Sequence, residues 1–237
     1  MLEAKRHRKQ PVNSGFHRFI DNFTRFISST GQANKKDLDE VTSTPTLVGL
    51  IGRKGSGKDT AAATLLGQGY ENVKFAGALK TMIRALLAYQ GADPDTIERM
   101  IEGDLKEEPT PYLAGRSPRH AMQTLGTDWG RKLMHEEFWV EVTKPLLRNG
   151  KVVVTDVRFL NEVMEIIELG GVPIGVEAEW QKPTPGEHES EALIDGLISA
   201  LPDTQKIKNR AARAGEQVAR VIQEFQSRFL QKLAALA

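Results

Sequence analysis

Two continuous apolar runs dominate the hydropathy pattern, and a segment with helical spacing follows each of them. The first run covers residues 46–52 and ends at Gly52, and the second covers residues 151–157. Runs of this length are typical of strands that are buried on both faces of a parallel sheet. Residues 58–67 and 161–171 then show helical spacing. This alternation predicts βαβ units with right-handed crossovers.

Weaker patterns complete the predicted fold class, which is α/β with three layers and a central parallel sheet of about five strands. The other strands are predicted at residues 72–77, 172–178 and 205–208. Further helices are predicted at residues 79–90, from Ser117 onward and through 135–150, at 190–198 and at about 212–235. Residues 91–115 are acidic and interrupted by three prolines, so we expect an irregular segment that flanks a site.

Residues 1–45 differ from the rest and form a predicted N-terminal appendage, whereas residues 46–237 form the main domain. Residues 1–10 are basic, and residues 16–27 place apolar side chains at helical spacing. A polar linker follows at residues 28–46. Three interpretations of this amphipathic helix are open: it docks on the main domain, it binds a protein partner or a membrane surface, or it is an organelle-targeting presequence.

The composition excludes several classes of function. The 32 basic and 31 acidic residues give a net charge of +1, so we expect no general nucleic-acid binding. Cysteine is absent, which excludes disulfides and thiol nucleophiles and suits a reducing, cytoplasmic location. No apolar run approaches the roughly 20 residues that span a bilayer.

The segment from Gly52 to Lys58 matches G-x-x-x-x-G-K and lies between a predicted strand and a predicted helix. Glycines at these positions allow backbone N–H groups to surround phosphate oxygens, and the Lys58 ammonium can reach the outer phosphates. Asp59 stands where serine or threonine is usual, so Thr60 is the better candidate for a hydroxyl near Mg²⁺. The alternative is a glycine-rich turn that binds no nucleotide.

The strand at residues 151–157 carries a second carboxylate near its end, Asp156, followed by Arg158. If this strand neighbours the first one, Asp156 lies beside the phosphate loop and can hold Mg²⁺, while Arg158 can clamp phosphate oxygens. An aspartate that caps the next helix is the alternative interpretation.

A third cluster begins where Ser117 and Pro118 predict a helix start. Arg119, Gln123 and Thr127 then follow one helical turn apart. We expect Arg119 and Arg131 to grip an acceptor phosphate, Gln123 to bind a base edge or sugar, Gly126 to allow close approach, and Lys80 to add a phosphate contact. The alternative is an amphipathic helix with a solvated face. The segment around His188 predicts a mobile lid rather than a metal site.

Five segments carry a family resemblance, and in chain order they are GRKGSGKDT, FAGALK, SPRHAMQTLGTDWGR, VVVTDVRFLNEV and HESEA. Through these segments, residues 46–225 resemble the bacteriophage deoxynucleoside monophosphate kinases, which have the P-loop NTPase fold. The resemblance implies transfer of the ATP γ-phosphate to a deoxynucleoside 5′-monophosphate with Mg²⁺, in the host cytoplasm, by a chain that sometimes forms a homodimer. It implies an ATP loop that includes Lys54, Gly55, Gly57, Lys58, Asp59 and Thr60.

The same resemblance implies an acceptor side and a transfer site. Its acceptor residues are Leu79, Lys80, Arg119, Gln123, Gly126, Thr127 and Trp139. It places Asp156 and Arg158 near the transferred phosphoryl group. A lid arginine that is frequent in the family is replaced by Lys182 or by nothing. Two other functions stay open: a kinase for another small phosphorylated acceptor, as in phosphomevalonate kinases, and a nucleotide-gated protein that engages a partner through its N-terminal helix.

Overall fold

The computed structural model describes residues 45–178, 193–209, 217–224 and 227. The predicted N-terminal helix, most of its linker and the predicted lid around His188 and Lys182 lie outside these residues, so the domain boundary stays a prediction. The described residues from 45 to 224 belong to one unit, Thr44–Phe225. No helix within the described ranges is long and apolar enough to cross a bilayer.

Within the described residues, five parallel strands form one sheet in the order β2-β3-β1-β4-β5. The strands are β1 (Leu47–Ile51), β2 (Glu71–Val73), β3 (Val152–Val157), β4 (Val172–Ala178) and β5 (Lys206–Asn209). β1 lies between β3 and β4, with Val48 opposite Val153 on one side and Val172 on the other. This sheet confirms the predicted α/β fold class.

The helices cover both faces of the sheet, and some of them pack with one another in a separate cluster. They are α1 (Lys58–Leu66), α2 (Gly77–Tyr89), α3 (Pro94–Ile101), α4 (Pro118–Gln123), α5 (Phe138–Leu147), α6 (Leu160–Glu168) and α7 (Ile194–Ala200). A π-helical segment, Thr124–Met134, continues α4, and residues 217–224 are also helical.

Two apolar cores lie between the sheet and the helices, one on each face of the sheet. On one face, Leu65 of α1 and Val221 pack with buried side chains of four strands. On the other face, α5, α6 and α7 pack against the sheet, and Ile166 is fully buried there. Strands that are buried on both sides explain why their sequences are apolar throughout instead of alternating.

A third core lies among α2, α3, α4 and α5 and supports the candidate site. Leu87 and Ile101 are fully buried within it, and Trp139 is 3% exposed. The expectation of an irregular segment at residues 91–115 is wrong in part, because α3 forms there. Asp93 caps this helix by accepting a hydrogen bond from Thr96 N at 2.9 Å, and Pro94 occupies the first turn, where proline favours a helix.

Candidate active site

The phosphate loop and the second carboxylate lie at the same edge of the sheet. β1 pairs in parallel with β3, and Ile51 stands opposite Val157 at their carboxyl ends. The loop after β1 and residues Asp156–Arg158 therefore emerge side by side, as predicted for neighbouring strands.

Glycine conformations shape the loop between β1 and α1. Gly55 and Gly57 have φ angles of 80° and 100°, in the left-handed region that favours glycine. A Cβ on Gly52 would lie 2.5 Å from both Ser56 Oγ and Val176 O, so a side chain at this position has no room. The loop closes when Ser56 N donates a hydrogen bond to Arg53 O at 3.1 Å.

The start of α1 leaves backbone donors for an anion. Gly57 is the N-cap and provides no side-chain acceptor, so the first-turn N–H groups lack the usual capping partner. Lys58 folds back over the loop, and its Nζ donates to Gly52 O at 2.6 Å and Arg53 O at 2.7 Å. Asp59 and Thr60 are exposed beside it. These features fit a bound phosphate chain.

Two contacts from distant parts of the chain hold the loop in place, and the sequence carries no signal for either. Asn209, at the end of β5, donates from Nδ2 to Ser56 O at 2.9 Å in a buried position. Asp195 of α7 accepts two hydrogen bonds from the Arg53 guanidinium at 2.9 and 2.8 Å.

A cavity of about 210 Å³ lies beside this edge of the sheet. All eight residues predicted for the acceptor side line it, namely Leu79, Lys80, Arg119, Gln123, Gly126, Thr127, Arg131 and Trp139. Asp156 and Arg158 line it as well, whereas residues of the phosphate loop do not. The structure thus brings the predicted acceptor and transfer residues together, although their roles stay predictions.

Asp156 fastens β3 to the loop before α2. Its Oδ1 accepts a hydrogen bond from Phe75 N at 3.0 Å, and its Oδ2 accepts one from Ala76 N at 2.9 Å. These amides are available because β2 ends at Val73, so the prediction of a strand over residues 72–77 was too long. Asp156 therefore supports the start of α2, not that of the next helix in the chain. A role in holding Mg²⁺ stays a prediction.

A buried ion pair forms another wall of the cavity. Glu162 Oε1 accepts from Arg131 Nη2 at 2.6 Å, and the guanidinium lies 3.8 Å from the centre of the Phe159 ring. Glu162 Oε2 accepts from Arg158 N at 2.7 Å and Phe159 N at 3.1 Å. Burial, opposed by Arg131, raises the pKa of the Glu162 carboxyl to about 7. Arg131 therefore already contacts Glu162 and Phe159, and its predicted binding of an acceptor phosphate stays a prediction.

Trp139 is a buried aromatic wall of the same cavity. Its Nε1 donates a hydrogen bond to Gly126 O at 2.8 Å. The rings of Phe138 and Trp129 pack against it, with centroid distances of 4.9 and 6.0 Å. Gly130 faces the indole so closely that a Cβ there would lie 2.3 Å from Nε1.

One side of the cavity is basic, and carboxylates hold two of its cations. Lys80 Nζ lies 2.7 Å from Glu102 Oε1. Arg119 Nη2 lies 2.8 Å from Glu107 Oε1. Lys106 lines the same side.

The sequence analysis missed six of the lining residues, which are Phe75, Ala76, Lys106, Met122, Phe159 and Glu162. Glu162 had a usable signal, because glutamate at the third position of a helix is typical of a carboxylate that bonds back to the N-cap amide. Lys106 had no signal in the sequence, because it reaches the cavity only through the packing of α3 and the short 3₁₀ helix Asp104–Glu107.

Comparison with known proteins finds a related sequence and solved structures with distantly similar folds. The chain is 32% identical over 148 residues to a protein of Acanthamoeba polyphaga mimivirus named "Putative deoxynucleotide monophosphate kinase". The match covers 55% of this chain and 73% of that protein. No family model matches the chain. The bacteriophage source implied by the sequence resemblance stays a prediction.

Two of the solved structures with a similar fold are a gluconokinase from Sinorhizobium meliloti 1021 and TT1252 from Thermus thermophilus. The first has a TM-score of 0.40 and 15% identity, over 80% of this chain and 98% of that chain. The second has a TM-score of 0.36 and 18% identity, over 78% of this chain and 98% of that chain. Likeness at this level supports no statement about function.

Proposed function

Because the chain belongs to the same P-loop kinase family as the mimivirus protein, we propose that it phosphorylates deoxynucleoside 5′-monophosphates with ATP. The products are the deoxynucleoside diphosphate and ADP, and the reaction serves nucleotide supply for DNA synthesis. The name of the relative supports the acceptor class, and the layout of the site supports it independently.

One observation carries the proposal. Eight acceptor-side residues, spread from Leu79 to Trp139 in the sequence, line a single cavity together with Asp156 and Arg158. β3, which contains Asp156 and ends one residue before Arg158, is hydrogen-bonded to β1, which ends at the phosphate loop. An acceptor in the cavity and a triphosphate on the loop would both lie at the carboxyl edge of the sheet, as an in-line phosphoryl transfer requires.

The residues present fit ATP and Mg²⁺. The left-handed glycines and the uncapped start of α1 would hold the phosphate chain through backbone N–H groups, and Lys58 would move from the loop carbonyls to phosphate oxygens. Thr60 and Asp156 are the candidates to hold Mg²⁺, directly or through water. When bound, Mg·ATP supplies the transferable phosphoryl group and much of the charge compensation.

The cavity offers chemistry for a nucleotide acceptor. Arg119 and Lys80 present cations for the monophosphate, and Gln123 presents both a donor and an acceptor for a base edge. Trp139 and Leu79 supply apolar surface that excludes water. Arg158 borders the cavity at the sheet edge, where its guanidinium can stabilise charge on the transferred group.

The direct test incubates the purified full chain with ATP, Mg²⁺ and each deoxynucleoside monophosphate and separates the products by chromatography. Ribonucleoside monophosphates and phosphomevalonate are included as competing acceptors. We expect diphosphate from at least one deoxynucleotide. Phosphorylation of phosphomevalonate alone would indicate the other kinase class, and ATP binding without any phosphorylated product would indicate a nucleotide-gated binding protein.

Arg119→Ala provides the matched check on the acceptor side. The variant is expected to raise the KM for the acceptor about tenfold or more and to leave the KM for ATP nearly unchanged, because Arg119 lines the cavity and not the loop. Equal changes in both KM values would place Arg119 outside the acceptor site.

A further inference from the structure

Lys106 differs from Lys80 and Arg119, its basic neighbours in the cavity, because no carboxylate of the described residues lies within ion-pair distance of it. It lies on the 3₁₀ helix Asp104–Glu107, and both Lys80 and Arg119 are close enough to disfavour its charge. Lys80 has an ion pair with Glu102, and Arg119 has one with Glu107. In the described part of the chain, Lys106 has no such partner.

Burial and like charge make this position unfavourable for a cation in the ligand-free protein. Burial, together with the charges of Lys80 and Arg119, lowers the pKa of the Lys106 ammonium to about 8. The carboxylates of Glu102 and Glu107 oppose this shift only in part. A bound anion would favour the charged form of Lys106, because the anion would contact an ammonium that already lines the cavity.

We propose that Lys106 binds the phosphate of the acceptor nucleotide and completes a three-cation receptor with Lys80 and Arg119. This inference rests on the proposed function and adds a residue that the sequence patterns did not indicate. A phosphate monoester is mostly a dianion at neutral pH, so it matches a cluster in which two cations are already partly neutralised and the third is not.

Two observations favour this side of the cavity over the Arg131 side as the phosphate position. Arg131 already donates a hydrogen bond to the buried Glu162 carboxyl at 2.6 Å and lies against the Phe159 ring, so its guanidinium is engaged within the protein. Glu107, which pairs with Arg119, is also close to the phosphate loop: Arg119, and to a smaller extent Lys54 of the loop, lower the pKa of its carboxyl. The three cations are therefore on the part of the cavity that lies near the phosphate loop.

The proposal predicts a characteristic pH dependence. The acceptor phosphate binds the protonated Lys106 and raises its pKa, so binding takes up a proton near pH 8. Affinity is expected to fall as the pH rises from 7 to 9. Arginine at position 106 stays charged over this range and should abolish that dependence while preserving the affinity.

The test compares the full-length wild type with Lys106→Met and Lys106→Arg, and with Lys74→Met as the matched control. Lys74 also lies near Glu102, at 3.7 Å, but does not line the cavity. Isothermal titration with the four deoxynucleoside monophosphates and with the matching deoxynucleosides gives the affinities at pH 7 and pH 9. Circular dichroism checks that each variant is folded.

We expect Lys106→Met to weaken monophosphate binding by about tenfold or more and to leave deoxynucleoside binding unchanged. Lys106→Arg and Lys74→Met should stay within about threefold of wild type at pH 7. Wild-type affinity in Lys106→Met would overturn the Lys106 assignment alone. Monophosphate binding by the wild type without phosphorylation would overturn the proposed function alone, and no monophosphate binding at all would overturn both.

Discussion

Replacing Gly130 by alanine tests how the aromatic wall of the cavity is held. A Cβ at Gly130 would lie 2.3, 2.5 and 2.7 Å from Nε1, Cε2 and Cζ2 of the Trp139 indole. These distances are too short for any real contact, and the ring is 3% exposed, so it must shift within a packed cluster. The shift would also remove the 2.8 Å hydrogen bond from Trp139 Nε1 to Gly126 O.

The expected cost follows from these contacts. Overpacking of this kind costs about 1–3 kcal/mol. A buried N–H that loses its acceptor costs about 1–3 kcal/mol more. Alanine is about 1 kcal/mol better than glycine in a helix, which offsets part of the loss. We therefore expect Gly130→Ala to lower the free energy of unfolding by about 3 kcal/mol and Tm by about 6–12 °C.

Urea denaturation and calorimetry measure this loss, with Gly77→Ala as the matched control. A Cβ at Gly77 meets no heavy atom within 4 Å, so that variant should be neutral or slightly stabilised. Combining Gly130→Ala with Trp139→Phe should cost less than the sum of the two changes, because the clashing atoms belong to the indole. Stability of Gly130→Ala equal to that of Gly77→Ala would refute this account of the wall.

Three further variants address the sheet edge. Arg158→Lys should lower kcat about tenfold or more with little change in stability, because an ammonium cannot replace a bidentate guanidinium; unchanged kcat would remove Arg158 from the transfer step. Asp156→Asn should lower the free energy of unfolding by about 1–3 kcal/mol, because its amide would face the N–H of Phe75 or Ala76, and a neutral result in urea denaturation would contradict this. Burial raises the pKa of Glu162 from 4.5 to about 7, so the folded state holds this proton more tightly. The stability of the wild type relative to Glu162→Gln should thus increase by about 1.5 kcal/mol as the pH falls from 7 to 5.5, and an opposite slope would show that Arg131 keeps the carboxylate charged.

The sheet was predictable because its strands are buried on both faces. That burial makes residues 46–52 and 151–157 apolar throughout, and the pattern is visible without any tertiary information. The helix at Pro94–Ile101 was missed because prolines were taken as interruptions, although Pro94 starts the helix. The π-helical segment Thr124–Met134 had no signal in the periodicity.

The candidate site was predictable only as far as local motifs reach. The spacing of glycine and lysine in Gly52–Lys58 identifies a phosphate-loop motif, and Asp156 stands near the end of an apolar strand. Glu162 and Lys106 depend on tertiary packing: one is buried against an arginine 31 positions away, and the other lies on a short helix that no pattern marks. The ion pairs that set the charge of the cavity are likewise invisible in a single sequence.

Titration of the full chain with Mg·ATP, followed by isothermal calorimetry, tests most directly whether the loop after β1 is a triphosphate site. We predict one site per chain in the wild type and a loss of affinity of at least about tenfold in Lys58→Ala, because the Lys58 ammonium lies over the loop. Absence of binding heat from the wild type across a range of temperatures, or equal binding by Lys58→Ala, would contradict the account.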